Sequence, residues 1–421
     1  MVPKNKTKIL LTTIGTVGDV FPFLGIGREL KIRGYDVSIA TNEYFKTVIE
    51  QEALKFIELG KKSDYFTIIK NKDLWHPTKA LKILAEESLL PLIKPLYEII
   101  FTFDQSSTLI IASGLSFGAR IAQEKLHYQL VTVHIEPALL WSAYQTPQFN
   151  INYTWFPKLP RAVKKTLSNI SDILIFDKMF RKKINSFRKE LDLQPVKHIF
   201  RDWIHSPQSV IGLFPDWFYP PQSDWPREVQ LTDFVFYDKN IDQSLLLQVE
   251  EFLTAGDLPI VFTTGTGMIY GKKFFEAAVK ACQILNKRGI LLTSESSQIP
   301  SNLPKQIIYL EHLPFGKYLK KTCAIVHHGG IGTTAQALLA GIPQLITPLS
   351  FDQPDNAVRV QKLGVGKYLN PKKIDAKKMA LELNYLLNSE QIKASCNKFA
   401  KKLQQSNGIG QACSIIENQM Q

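Results

Sequence analysis

Short β-rich apolar runs alternate with longer amphipathic stretches along the whole chain, and the alternation occurs twice. KILLTTIG, YDVSIATN, TLIIASG, QLVTVHI and SVIGLF read as buried strands in the first half. PIVFTTG, GILLTS, IIYLEH, CAIVHHG and PQLITP repeat the rhythm in the second. Between them lie stretches of helical spacing, such as FLGIGRELKIRG with its glycine stop at Gly34, and GKKFFEAAVKACQILNKRG. Strands that are apolar throughout and joined by helices call for parallel sheets covered on both faces. Two such series predict two doubly wound α/β domains, and 421 residues suffice for two cores of about 200 residues each.

The expected boundaries are a first domain over 1–236, a connector over 237–258, a second domain over 259–396 and a terminal helix over 397–421. The connector lies in DFVFYDKNIDQSLLLQVEEFLTAGDLP, where a strand is expected to end near Phe236 and one helix to lead to Pro259. FPDWFYPPQSDWP (214–226) reads as an ordered loop, because its aromatic rings disfavour solvent.

Hydrophobic residues make up 45% and charged residues 21%, an ordinary globular balance. Cys282, Cys323, Cys396 and Cys413 show no CxxC spacing and read as small hydrophobes of a reducing compartment. The opening MVPKNKTKILLTTIG lacks the cleavage site of a signal peptide, and no stretch approaches the ~20 apolar residues of a membrane span. A soluble, cytoplasmic chain is expected.

A net charge of +13 suits an anionic membrane, nucleic acid or an anionic substrate. Nucleic acid is not expected, since no RNA-binding aromatic signature, zinc-finger spacing or helix-turn-helix is evident. The charge is dense over 161–191, RAVKKTLSNISDILIFDKMFRKKINSFRKEL, mixed with Ile, Leu and Phe. This segment reads either as a solvated helix pair or as peripheral docking on an anionic inner-membrane face.

The chemistry concentrates in HHGGIGTTAQALLAGIPQLITPLSFDQPDN, residues 327–356. A strand leads into His327 and His328, a glycine turn follows, and a helix begins around Gly332–Thr333 and ends at Gly341. Such a helix start offers free N–H groups and a positive dipole end, an anion site suited to phosphate. Adjacent residues on a strand point to opposite faces, so the two histidines are poorly placed to chelate together, and no partner ligands complete a metal set. Packing alone is the remaining rival. PQLITPLSFDQ then puts Asp352 and Gln353 at the C-terminal end of another strand, where open parallel sheets bind ligands. Together these residues suit a nucleotide-linked polyhydroxyl ligand.

This segment resembles the donor-binding signature of the family-1 (GT-B) glycosyltransferases, whose two Rossmann-like domains face a cleft. His328, the Gly341-Ile342-Pro343 turn and the Asp352-Gln353 pair match in register. The resemblance implies that His328, Gly330, Gly332 and Thr333 hold the donor diphosphate, and that Asp352 and Gln353 hold the sugar. Gln336 falls where many relatives carry a ribose-binding glutamate, and a deoxyribose needs that carboxylate less. Gly265 and Thr266 of TTGTG are then phosphate-side contacts, and His312 and Leu313 of EHLPFGKYL belong to a loop over the base. The alternative for both loops is a plain strand-end turn. In this fold the last helix commonly crosses back to the first domain.

LLTTIGTVGDVFPFLGIGREL supplies the first strand, its turn and a helix, with Gly18-Asp19 in place of the Gly-His of many relatives, as in sterol- and antibiotic-type branches. By the resemblance Asp19 is the base that deprotonates an acceptor hydroxyl; the alternative is helix capping. Single displacement then predicts inversion at the anomeric carbon, with a nucleotide-diphosphate sugar as co-substrate and neither cofactor nor metal.

For the acceptor, Gly18, His134 and Trp141 are candidate contacts, and His134 with Glu136 reads equally well as a satisfied core pair. WSAYQTPQFNINYTWF is an aromatic loop that covers either an apolar acceptor or its own domain. GDVFPFLGIGRELKIRGYDVS, DLWHPTKALKIL, GARIAQEK and IFRDWIHSPQSVIGLFPDWFYPPQSDWP are similar to the bacterial rhamnolipid-type rhamnosyltransferases, which implies a dTDP-deoxyhexose donor and a lipid hydroxyl. Sterol, carotenoid or polyketide alcohols glycosylated from a UDP-sugar are the alternative. A cell-wall glycosyltransferase and a non-catalytic nucleotide-sugar sensor are further readings.

Overall fold

A computed structural model of the chain describes residues 7–153, 155–238 and 243–420, with the side chains of 243–246 left aside. The first sheet holds β1 (Lys8–Thr12), β2 (Asp36–Thr41), β3 (Lys55–Glu58), β4 (Thr108–Ser113), β5 (Gln129–His134), β6 (Ser209–Gly212) and β7 (Val229–Leu231). Their spatial order is β3-β2-β1-β4-β5-β6-β7, and every pair is parallel. The second sheet holds β8 (Ile260–Thr263), β9 (Gly289–Leu292), β10 (Ile307–Leu310), β11 (Ala324–His327), β12 (Gln344–Ile346) and β13 (Gly366–Tyr368). Its order is β10-β9-β8-β11-β12-β13, again all parallel.

Strand order reverses between β1 and β4 and between β8 and β11. A parallel sheet opens a crevice at such reversals, beyond the C-terminal ends of the strands. The turns after β1, β8 and β11 therefore fall where a ligand can enter. They are the GTVGD, TTGTG and HHGG turns singled out in the sequence.

Edge strands β3 and β13 had no counterpart in the sequence reading, and β7 falls short of the strand expected there. Each has three or four residues and a partly exposed pattern, so no buried run marks it. The strand expected to end near Phe236 stops at Leu231. Residues 232–238 carry no secondary structure. Along that strip successive side chains part: Phe234 and Phe236 pack in the cluster that runs from the 214–226 loop into the core of the second sheet, Val235 and Tyr237 with the core of the first. Opposed neighbours are what an extended backbone gives. Connector residues 239–242 lie outside the described residues, and a helix follows at Gln243–Thr254.

The Pro-rich 214–226 loop is a bridge. Trp217 stacks on Phe399 at 4.8 Å, and the Arg359 guanidinium lies 3.8 Å from the Tyr219 ring centroid. The end of the chain is two helices instead of one. Glu390–Gln404 stays with the second core through Cys396, Phe399 and Leu403. Gly408–Asn418 crosses to the first, where Cys413 and Ile416 are buried and Glu417 pairs with Arg33 at 2.8 Å. The break falls at Ser406-Asn407, where the Asn407 side chain caps the second helix. Among the described residues no helix is long and apolar enough to cross a membrane.

Candidate active site

β11 ends at His327, and the two histidines part as strand alternation requires. His327 is buried in the sheet: its Nδ1 accepts the Gly329 N–H at 3.1 Å, so its Nε2–H donates to Gln344 Oε1 at 3.0 Å. His328 turns to the cleft. Its imidazole lies between two bare α-carbons, since a Cβ added at Gly265 or at Gly330 would come 2.5 Å from the ring. Burial pushes His328 down to about 4, which keeps the imidazole neutral. Its Nδ1 is buried with no hydrogen-bond partner among the described residues.

Gly329 takes φ +98° and lets the chain turn into the helix Ile331–Ala340, which Gly341 ends at φ +71°. A Cβ at Gly332 would meet nothing within 4 Å, so the first turn is open to the cleft. At the end of β12, Asp352 accepts from Asn356 Nδ2 at 2.7 Å, and Asn356 also donates to the Gly329 carbonyl at 2.9 Å. The Ile331 N–H helps to hold the same carboxylate. Gln353 Oε1 accepts the Leu349 N–H at 2.8 Å, so its NH2 is the end left for a ligand. Just before the pair Phe351 adopts φ +59°, a strained value for a non-glycine residue. Its ring meets Trp75 of the first half edge-on at 5.9 Å.

On the opposite wall Asp19 sits in the first turn of the helix Val17–Ile32. Its Oδ2 accepts the Thr16 N–H at 2.6 Å and the Thr16 hydroxyl at 3.1 Å. This is a helix-capping contact made by that one oxygen. Gly15, at φ +146°, makes room for the carboxylate. Enclosure by the cleft walls pushes Asp19 up to about 6. Asp352 is pushed up to about 7, by burial first and by the charge of Asp19 second. Glu136 is raised well above the usual carboxylate range by burial, then by Asp352 and Asp19. Three carboxyls from both halves thus sense one another across one space.

That space is a cavity of about 910 Å³ between the two halves. It collects Gly18, Asp19, Trp141, Gly265, Thr266, His312, Leu313, His328, Gly330, Gly332, Thr333, Gln336, Asp352 and Gln353. His134 is a correction: it lies outside the lining, fully buried, with Nε2 2.9 Å from His205 Nδ1 and its ring against Gly114. Two residues on, the chain has left the sheet, and Glu136 faces the cavity instead. The Trp141 ring is covered by the Arg201 guanidinium at 4.4 Å.

Sequence reasoning missed two lining residues. Trp75 reaches across to donate from Nε1 to the Gly267 carbonyl at 3.1 Å. Asp238 accepts from Gln336 Nε2 at 3.4 Å and from the Gly316 N–H at 2.7 Å, while Gln336 Oε1 is buried without a partner among the described residues. Trp75 stands in DLWHPTKALKIL and Asp238 in the connector stretch, neither of which was given a site role, and the fold brings both to the site.

Comparison with known proteins places this geometry. Residues 9–145 match the glycosyltransferase family 28 N-terminal domain, and residues 286–407 match the erythromycin biosynthesis protein CIII-like C-terminal domain. The sterol 3-beta-glucosyltransferase UGT80A2 of Arabidopsis thaliana is 28% identical over 96% of this chain, which spans 64% of that protein's length. The O-mycaminosyltylonolide 6-deoxyallosyltransferase of Streptomyces fradiae is 24% identical, with 97% of each chain covered. Among solved structures, the glycotransferase of kitacinnamycin superposes with a TM-score of 0.72 at 16% identity, covering 99% of each chain. Spinosyn rhamnosyltransferase SpnG complexed with thymidine diphosphate superposes at 0.69 and 14% identity, covering 99% of this chain and 100% of that one. Two facing parallel sheets, a glycine-turn helix start aimed between them and these two matched domains agree: the chain is a glycosyltransferase of GT-B architecture, similar to the family-1 enzymes.

Proposed function

We propose that the protein transfers a hexose or deoxyhexose from a nucleotide-diphosphate sugar to the hydroxyl of an apolar acceptor, with inversion. The supporting observation is that Asp19 from one half lines the same cavity as His328, the open turn at Gly332 and Asp352 from the other. Asp19 takes the proton of the acceptor hydroxyl as its oxygen attacks the anomeric carbon. The bond to the diphosphate breaks on the opposite face. The leaving charge is met by the helix start at Ile331–Thr333 and by neutral His328, whose Nδ1 has no hydrogen-bond partner among the described residues. Asp352 and the Gln353 NH2 orient the sugar hydroxyls. The reaction needs no resident cofactor or metal.

For the donor we favour a dTDP-linked deoxyhexose such as rhamnose, because an amide, Gln336, stands where a ribose 2′-hydroxyl would call for a carboxylate. The acceptor arm is walled by Leu74, Leu84, Leu89, Leu139 and Phe149, which suits a lipid or polycyclic alcohol. Asp238 beside Gln336 favours the second reading, a UDP-sugar, since its carboxylate can accept from a ribose hydroxyl. The test is turnover with UDP-glucose, UDP-GlcNAc, dTDP-glucose and dTDP-rhamnose against a hydroxy fatty acid, a sterol and a long-chain alcohol. Anomeric configuration of the product is read by NMR. A retained configuration, or turnover only with hydrophilic acceptors, would sink the proposal. Binding of donors without any turnover would leave a nucleotide-sugar-binding protein.

A further inference from the structure

Among the described residues, ten of the twenty large exposed apolar side chains fall between Tyr144 and Ile175. Most lie on one continuous helical run, formed by Arg161–Ser171, a π-helical turn at Asp172–Asp177, and Lys178–Glu190. At the π turn Ile173, Leu174 and Ile175 are 47%, 62% and 51% exposed. Successive residues of an ordinary helix point about 100° apart, so a helix packed on one face rarely exposes three neighbours of this kind. Tyr153 and Trp155 stand out at 55% and 53% beside it.

The charge around this ridge has one sign. Between Tyr144 and Glu190 ten basic residues stand against three acidic ones. Two of the three acids, Asp172 and Asp177, are buried, with Asp172 engaged by His198 and Arg201 and Asp177 by Arg181. Lys165, Lys178, Lys182, Lys183 and Lys189 are exposed. The ridge borders the cleft: Leu167, Ile175 and Tyr153 stand at the rim of the cavity with Ser168, Phe176 and Met179 further in its lining, while Ile173 and Leu174 lie outside it.

We propose that this ridge docks the protein on an anionic lipid bilayer, with Ile173 and Leu174 in the acyl boundary and the lysines on the headgroups. An apolar ridge with Tyr and Trp at its edge, flanked by lysine, is the pattern of an interfacial helix, whereas protein interfaces are depleted in lysine. Docked in this way, the ridge meets the bilayer beside the rim of the cavity. An apolar alcohol dissolved in the membrane then reaches the cavity without crossing water. This delivery role rests on the apolar-acceptor reading above; the docking itself does not.

The test is co-sedimentation of the full chain with vesicles of phosphatidylcholine alone and of phosphatidylcholine with phosphatidylglycerol. The expected result is binding to the anionic vesicles that weakens with salt. Lys182→Glu with Lys183→Glu should weaken it by on the order of tenfold to a hundredfold, and Leu174→Glu should abolish it. None of these three side chains lines the cavity. Donor hydrolysis and transfer to a short water-soluble alcohol should therefore stay within about twofold. Equal binding to neutral and anionic vesicles, no binding at all, or variants that bind like the parent would overturn the proposal. So would a dimer in solution that Leu174→Glu splits, which would make the ridge a contact between copies. Vesicle binding by a protein that refuses every apolar acceptor would count against the acceptor reading and leave the docking in place.

Discussion

The imidazole of His328 rests on the bare α-carbon of Gly265: a Cβ built there would come 2.5 Å from His328 Cε1, and the glycine holds φ +84°. A glycine on β8's turn thus sets the position of a side chain on β11's turn. Gly265→Ala meets both the contact and the left-handed backbone, at a cost of about 1 kcal/mol for the latter. The expected result is a folded protein whose donor KM rises on the order of tenfold, as the ring is pushed from its seat. An unchanged donor KM would show that the ring position does not matter to the donor.

Asp19→Asn is expected to lower kcat by about 10²–10⁴-fold with donor binding kept. In the parent, activity should rise with pH through about 6, because the base acts only when ionised. A flat profile across that range, or full turnover by the variant, would remove Asp19 from the reaction.

The same carboxyl carries an opposite prediction for stability. Its pKa is 3.8 when unperturbed and about 6 in the fold, so the folded state binds the proton more tightly. Stability contributed by the protonated form is complete below about 4 and is lost as pH rises through about 6. Asparagine has no such titration and can still accept the Thr16 N–H. The melting temperature of Asp19→Asn relative to the parent should therefore increase between pH 4 and pH 7. Equal melting temperatures at both pH values would contradict the raised pKa.

His134→Ala tests the correction made at β5. Removing a fully buried ring bonded to His205 should cost about 2–4 kcal/mol, read by urea unfolding. Acceptor kcat/KM of the folded fraction should stay within about threefold. Glu136→Gln, on the cavity wall, should show the reverse: near-parent stability and altered acceptor kinetics.

Donor turnover after exhaustive dialysis against EDTA should equal that of untreated protein, since helix N–H groups and His328 are the proposed partners of the leaving charge. Loss of activity restored by magnesium would replace that part of the mechanism.

Ten strands were legible in the sequence because both of their faces are covered, which forces continuous apolar runs. KFIE and GKY were not, and the strand at VQL was expected to end five residues too far along, because an edge strand half in water keeps polar residues. Alternation told His327 from His328, since β11 runs through His327 and His328 follows it directly. Applied to His134 the same logic gave no answer, because the chain leaves the sheet within two residues and parity no longer assigns a face. Trp75 and Asp238 lie in stretches the sequence singled out, but local pattern gave neither a role in the site. Each acquires its partner, Gly267 or Gln336, only when segments some hundred residues or more apart are folded together.

The strip from Phe234 to Tyr237 sends neighbouring side chains into different cores. Pulling the halves apart would strip one residue or the other from its packing at every step along it. The halves are therefore bound to melt together: calorimetry should record a single cooperative transition. Whatever motion admits substrate and releases product must pivot about this strip while leaving both cores intact.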